Sequence, residues 1–382
     1  MAFDGFLMAA LTKELSDCLT GGHLQKISQP EQDELILAVK NNRKTWRMVL
    51  SASPSLPLIY LTDKSKVAPL TAPNFCMLLR KHLSGARICR IYQHELERVL
   101  FIEFENRNEL GDLVRRNLVI EIMGKHSNII FLDEENKIVD SIRHVSALVS
   151  SVREVLPGRT YFIPNTRDKH NPFELSTEMW MMELTKQPVS IAKGLCNYLT
   201  GFSFSMAQEV AYRCHLDGDA PFASCNGNQL SALLSCLRDL MEHVKKGNFE
   251  PEIVFHNGEP VEFSAFEMKR YEAEGYEHRP FESVSRMIEV FYGEKEMIQR
   301  IRQKSADLRK NVTNLLERDQ KKIDIQRKQL KDTEKRERFK VYGEHINTYG
   351  YQLSPEDKVL RCTSYYDGSE LSIPIDPTKT PA

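Results

Sequence analysis

Apolar residues recur at helical spacing from the start of the chain. Phe3, Phe6, Leu7, Ala10, Leu11, Leu15 and Cys18 share one face and predict a helix over 3–18, stopped by Gly21-Gly22. The pattern then shortens to β-like runs at His23–Ser28, Glu34–Lys40, Thr45–Ser51 and Leu58–Thr62. Gln29-Pro30, Asn41-Asn42 and Pro54/Pro57 separate them, so a meander of hairpins is expected. Pro73–Leu83 reads as a helix. A second β set follows at Arg87–Gln93, Val99–Glu105, Asn117–Met123, Asn128–Asp133 and Lys137–Ile142, with Gly124–Ser127 as a hairpin loop. Strands on both sides of a helix, without βαβ alternation, predict an α+β fold with antiparallel sheets.

Pro157-Gly158 and the stretch from Pro164 to Pro172 mark a boundary. Beyond it the chain reads as helical over about 175–187, 189–199, 204–216 and 227–245, then returns to β at Glu252–Phe255 and Val261–Phe263. From Glu294 to Tyr342 there is neither glycine nor proline. Ile301, Leu308, Val312 and Leu315 keep heptad spacing, and Leu316, Ile323 and Leu330 continue it one position on. So thin an apolar seam is the mark of a coiled-coil arm, and it needs a partner helix. No returning helix follows before the β-like stretch 357–374. Self-association of the arm, or a partner supplied from elsewhere, is therefore expected.

Charge changes this picture locally. The 382 residues carry 52 Lys+Arg against 53 Asp+Glu, a net charge of −1. Residues 295–340 nevertheless hold 16 basic and 8 acidic side chains, a local charge of +8 suited to a polyanion. No apolar run approaches 18 residues, so no membrane span or membrane partner is expected. The amino-terminal apolar run, Phe6 to Leu11, is short and lacks a basic start, which argues against export and for the cytoplasm. Eight cysteines without a CxxC pair read as reduced core residues rather than as a disulfide frame or zinc site. There is no Walker loop, no GxGxxG and no HExxH, so neither a cofactor nor a metal is expected. Asp133-Glu134-Glu135 reads as a solvated turn, and His126 and His144 lack a nucleophile or ligand neighbour in sequence.

Several strings carry a specific resemblance. MAFDG opens the chain, and GGHLQKISQP, FCMLLRKHL, ENRNELGD, LVIEIMGKHSNIIFLD, TGFSFSMAQEVAYR and YYDGSELSIPIDPTKTP follow in that order. Together they closely resemble the NFACT family, the RqcH-like, NEMF-like and fibronectin-binding-protein-A-like factors of ribosome quality control. The resemblance implies four parts: an antiparallel β-rich NFACT-N domain at 1–172, a helix-hairpin-helix domain at 173–250, a β-return with linker helix at 251–292, and the outgoing coiled-coil helix at 293–342. A small middle domain, incomplete here, takes up 343–382. It also implies likeness of NFACT-N to the amino-terminal domain of formamidopyrimidine-DNA glycosylases. Those enzymes use an amino-terminal proline as nucleophile; Ala2 and Phe3 stand here instead, so a binding platform without that chemistry is expected. The implied function is binding of large ribosomal subunits obstructed by peptidyl-tRNA, through rRNA, and recruitment of tRNA (alanyl-tRNA in bacteria). Stalled chains are then tailed without mRNA. Peptide bonds are made by the ribosome, so the protein is not expected to be an enzyme. A fibronectin-binding surface adhesin and a glycosylase-like nucleic-acid-binding protein are the alternatives.

The same resemblance implies the site. Asp4 matches the acid of the family's opening motif, and Glu97-Arg98 matches an Asp-Arg pair, with glutamate in place of aspartate. Glu121-Ile122-Met123-Gly124 matches a second tRNA-contacting motif. From the residues themselves, Arg98 falls in phase with Leu100, Ile102 and Phe104, where a guanidinium requires a carboxylate, a phosphate or the surface. It reads either as a recognition group or as a salt bridge at a strand end. Glu121, in phase with Val119 and Met123, reads equally as a tRNA contact and as a scaffold acid paired with a cation such as Arg98. Lys125 is a solvated turn residue or a phosphate contact, and Arg80-Lys81 a solvated helix face or an RNA backbone contact. Gly201 begins a helix-hairpin-helix-like turn in which Ser203 takes the place of the second glycine, so packing competes with phosphate binding there.

Overall fold

The computed structural model describes residues 3–108, 110–150, 152–163, 169–175, 179–376 and 378–379, without the side chains of 294–307. Ile301 of the expected seam and Pro164 of the expected boundary lie outside the described residues. The chain divides into two compact units, Met1–Met297 and Ile298–Ala382.

The first unit is built on one nine-stranded antiparallel sheet. Helix α1 (Gly5–Leu19) buries Phe6, Leu7, Met8, Ala10, Leu11, Leu15 and Leu19, the stripe visible in the sequence. Strands β1 (His23–Glu31), β2 (Glu34–Asn41), β3 (Lys44–Ser51) and β4 (Leu58–Thr62) form the first meander. Asn42 and Arg43, both at positive φ (48° and 66°), make the two-residue turn between β2 and β3. That left-handed geometry matches the twist of a hairpin, and asparagine tolerates it well. Helix α2 (Asn74–Leu83) intervenes. Then β5 (Arg87–Gln93), β6 (Val99–Arg107), β7 (Leu113–Glu121), β8 (Asn128–Leu132) and β9 (Ile138–Ser141) complete the sheet in the order β4-β3-β2-β1-β5-β6-β7-β8-β9. Gln29-Pro30 lies within β1 rather than ending it, and register shifts between Ser28 and Glu31 accommodate it.

Alternation along β6 and β7 sorts their side chains to two faces. Leu100, Ile102, Phe104, Leu118 and Ile120 join the main core with α1 and α2. Val99, Phe101 and Val119 join Ile130, Leu132, Ile138 and Val155 in a smaller core on the other face.

The main core continues into helices α3 (Met179–Leu184), α4 (Ile191–Tyr198), α5 (Phe204–Arg213) and α6 (Gly227–Lys246). It also takes in a three-stranded sheet of β10 (Glu252–His256), β11 (Glu259–Ser264) and β12 (Tyr276–Pro280), ordered β11-β10-β12. The segments 1–172, 173–250 and 251–292 thus share a single hydrophobic core within Met1–Met297. β12 escapes a sequence reading because Tyr276-Glu277-His278-Arg279-Pro280 is polar and only half-buried at its best-covered residues.

Helix α7 (Val284–Tyr349) is continuous, running through Gly343 to Tyr349. Its first turns place Val284, Met287, Ile288 and Phe291 in the main core. In the second unit, Leu308, Val312, Leu315, Leu316, Ile323 and Leu330 are all exposed, between 49% and 65% of their surface. A hairpin of β13 (Val359–Thr363) and β14 (Glu370–Pro374) follows. No helix among the described residues is long and apolar enough to cross a membrane.

Candidate functional site

Residues far apart in sequence meet at one corner of the first unit. Asp4 sits at the N-cap of α1, where its Oδ1 accepts hydrogen bonds from the N–H groups of Phe6 (3.1 Å) and Leu7 (3.0 Å). An aspartate there satisfies donors that the first helical turn cannot. Its other oxygen accepts from the Ser203 hydroxyl at 2.7 Å. Ser203 is itself the N-cap of α5, accepting from Met206 N–H at 3.1 Å. Burial pushes the Asp4 carboxyl up to about 6, against the lowering effect of these hydrogen bonds.

The next residue locks the corner. Gly5 N–H donates to the Gly201 carbonyl at 2.9 Å. A Cβ on Gly5 would lie 2.1 Å from the Leu96 carbonyl oxygen and 2.7 Å from Gly201 Cα. Gly201 has φ +79°, and its own Cβ would lie 2.3 Å from the same Leu96 oxygen. Three backbones therefore cross in contact, and only glycine fits at two of them. Gln93 Nε2 adds a clamp by donating to the carbonyls of Gly5 (2.9 Å) and Glu97 (2.8 Å).

Glu97 and Arg98 lie in the turn between β5 and β6, because β6 begins only at Val99. The expectation that they alternate as strand residues is therefore corrected: a turn, held by Glu97 N–H donating to His94 O at 2.9 Å, sets their directions. Both are half-buried. The second motif adjoins them directly. Val99 pairs with Glu121 across the sheet, and Ile122 N–H donates to the Arg98 carbonyl at 2.9 Å.

Glu121 ends β7 and has no exposed surface. Its Oε2 is hydrogen-bonded and ion-paired to Arg153 Nη2, and its Oε1 accepts from the Tyr161 hydroxyl at 2.8 Å. Arg98 was the cation expected to pair with this acid; the structure instead puts Arg153 there, from the segment that follows β9. The buried acid drives the Tyr161 hydroxyl well above its usual value, with burial as the larger cause. The Arg153 guanidinium also lies 5.4 Å from the Tyr161 ring centroid. Sequence reading missed both residues. The signal available was Tyr161 and Ile163, which pack on the smaller core inside a stretch read only as a domain boundary.

Ile122 is fully buried in the main core and Met123 packs against the smaller one. Gly124, at φ +60°, opens the 3-10 turn Gly124–His126 that joins β7 to β8. Lys125 and His126 are exposed at its tip. Asp4, Glu97, Arg98, Glu121, Ile122, Met123, Gly124 and Gly201 are thereby gathered through adjoining backbones, with Lys125 on the same loop. Arg80 and Lys81 lie elsewhere, on α2. Arg80 is half-buried, with Nε donating to the Ile27 carbonyl at 2.9 Å, a packing use of its guanidinium; Lys81 is exposed. His144 hydrogen-bonds Asp140 at 2.6 Å. Among the described residues no three His, Cys, Asp or Glu side chains are placed to hold a metal ion, and the eight cysteines are free.

The fold and corner together define an α+β protein with a large antiparallel sheet, a helical layer sharing its core and one long carboxy-terminal helix. The family model described as NFACT N-terminal and middle domains matches residues 4–382, and the chain belongs to this family. It is 34% identical to the Rqc2 homolog RqcH of Bacillus subtilis over 385 residues, covering 100% of this chain and 65% of the relative. The chain thus spans about two thirds of the length of that relative. The solved structure of the N-terminal part of the fibronectin/fibrinogen-binding protein from Streptococcus suis matches with a TM-score of 0.62 and 30% identity, over 76% of this chain and 99% of that one. A DNA-bound formamidopyrimidine-DNA glycosylase from Lactococcus lactis aligns at a TM-score of 0.34 and 12% identity, over 64% of this chain and 81% of that one, and no argument rests on it.

Proposed function

We propose that this chain is the amino-terminal portion of a ribosome quality-control factor that binds obstructed large ribosomal subunits and recruits tRNA for mRNA-independent tailing of stalled chains. The observation that carries the reading is the full-chain similarity to an Rqc2 homolog. The corner geometry supports it. The two motifs implied to contact tRNA adjoin through the Val99–Glu121 pair and the Ile122–Arg98 hydrogen bond, and Arg153 and Tyr161 occupy the buried carboxylate. Arg98 is thus not needed as the partner of Glu121 and is assigned to RNA, with Glu97 beside it. Arginine suits that task because its planar, permanently charged fork matches phosphate and base edges.

In this reading the chain works in the cytoplasm, makes no covalent chemistry of its own and meets rRNA and the stalled peptidyl-tRNA complex on the large subunit. The α4–α5 pair, capped by Ser190 and Ser203 around Gly201, is the proposed helix-hairpin-helix element. Fibronectin adhesion is not favoured, since the structural neighbour of that description shares the family. The test is Arg98→Ala in the full natural protein. Co-purifying tRNA should fall at least tenfold while large subunits still co-sediment and the melting temperature stays within about 2 °C, a shift of roughly 1 kcal/mol or less. Retained tRNA would overturn the assignment.

A further inference from the structure

The end of α2 and the hairpin between β6 and β7 enclose a second feature, a cavity of about 250 Å³ lined by Lys81, His82, Arg107, Asn108, Leu110 and Arg116. Three of the six are permanent cations, a fourth can become one, and none is acidic. The fold builds this cluster. Arg116 stands opposite Phe104 in the β6–β7 ladder, and Phe104 points into the main core. Arg116 therefore projects from the core-facing side of the sheet, with only 17% of its side chain exposed. The Glu134 carboxylate, itself 53% exposed, approaches it to 4.0 Å, the outer limit of an ion pair.

The walls are tied together. Asn106 Nδ2 donates to the His82 carbonyl at 3.0 Å, joining the hairpin to the last turn of α2. The His82 ring packs 5.7 Å from the Phe131 ring. Arg107 Nη1 donates to the Gly111 carbonyl at 2.7 Å, and Asn108 Nδ2 engages the nearby Asp112 carboxylate at 3.2 Å. Cations held this close repel one another in a partly desolvated site, and an anion entering between them reverses the sign of that energy. Two guanidinium forks and an ammonium suit the tetrahedral oxygens of a phosphate.

We propose that this cavity is a subsite for an RNA backbone phosphate, a partner class that rests on the RNA-binding reading above. It lies at the far end of β6 from the motif corner: Val99 and Arg107 are eight residues apart, roughly 26 Å along the strand. One RNA would then be gripped at both ends of the β6–β7 hairpin.

The test uses the full natural protein and fluorescein-labelled bulk tRNA, with anisotropy titrations at several salt concentrations between about 50 and 250 mM. Lys81→Gln/Arg107→Gln alters two exposed side chains, and Arg116→Gln serves as an independent third; melting curves confirm folding. Each lost phosphate contact should reduce the steepness of log K against log salt by roughly 0.7–0.9 and weaken binding several-fold at the higher salt. Unchanged affinity and slope in the double variant, with Arg98→Ala still losing tRNA, would overturn the subsite and leave the functional reading standing. Failure of the unaltered protein to bind tRNA would overturn both. Inorganic phosphate, tested by thermal shift against chloride at matched ionic strength, distinguishes the sources. A gain lost in the double variant, without any tRNA effect, would assign the cavity to free phosphate and reject RNA.

Discussion

Removing the cation that holds Glu121 should be among the costliest single changes in the first unit. Glu121 has no exposed surface, and the Arg153 side chain facing it is 9% exposed. Arg153→Ala leaves the carboxylate with the Tyr161 hydroxyl as its one remaining partner of the two. Breaking a buried pair from one side costs about 3–5 kcal/mol, because the surviving charge stays out of water. Double substitution Glu121→Gln/Arg153→Ala should recover most of this, since the uncompensated charge is gone and the amide can still accept from Tyr161. For a unit of this size about 2 °C of melting temperature accompanies each kcal/mol, so Arg153→Ala should melt roughly 6–10 °C lower. Urea denaturation of the four members of the cycle measures the coupling directly. A loss below about 1 kcal/mol for Arg153→Ala, or no recovery in the double variant, would refute the view that this pair is a buried, mutually dependent one.

Three further outcomes follow from the geometry. Gly201→Ala should lower stability by at least 1–3 kcal/mol, measured by urea denaturation, because its Cβ would strike the Leu96 carbonyl and its φ is +79°. Asp4, with its carboxyl raised to about 6, favours folding most in its protonated form; that contribution is fully present below about 3.8 and lost as pH rises through 6. Relative to Asp4→Asn, the natural protein should therefore lose stability between pH 4 and 6, on the order of 3 kcal/mol at most, and a parallel pH profile in both would refute the assignment. Finally, the exposed stripe Leu308, Val312 and Leu315 should drive self-association of this chain, read by sedimentation equilibrium as a mass that rises with concentration. Val312→Asp should return it to a monomer, and a strict monomer before substitution would sink the idea.

Much of the architecture is written in the spacing of apolar residues. The stripe from Phe6 to Leu19, the alternation through β6 and β7 and the unbroken run after Glu294 each declare an element, since burial selects one period for helices and another for strands. Gly124 and Gly201 were legible as turns for a similarly local reason: both need positive φ. The family strings also named the residues of the corner. Contacts between distant segments are a different matter. Nothing in the order of residues says that the Leu96 carbonyl closes on Gly5 and Gly201, or that Ser203 completes the cap begun by Asp4. The partner of Glu121 was misjudged because an unpaired carboxylate announces only the need for a cation; which cation arrives depends on how the chain beyond β9 folds back over the sheet. The cationic cavity is of the same kind. Lys81, Arg107 and Arg116 are unremarkable surface-type residues one by one, and only the packing of α2 against the hairpin brings their charges together. Local periodicity determines elements because it depends on neighbours along the chain, whereas electrostatic partnership depends on distance in space, which tertiary packing alone decides.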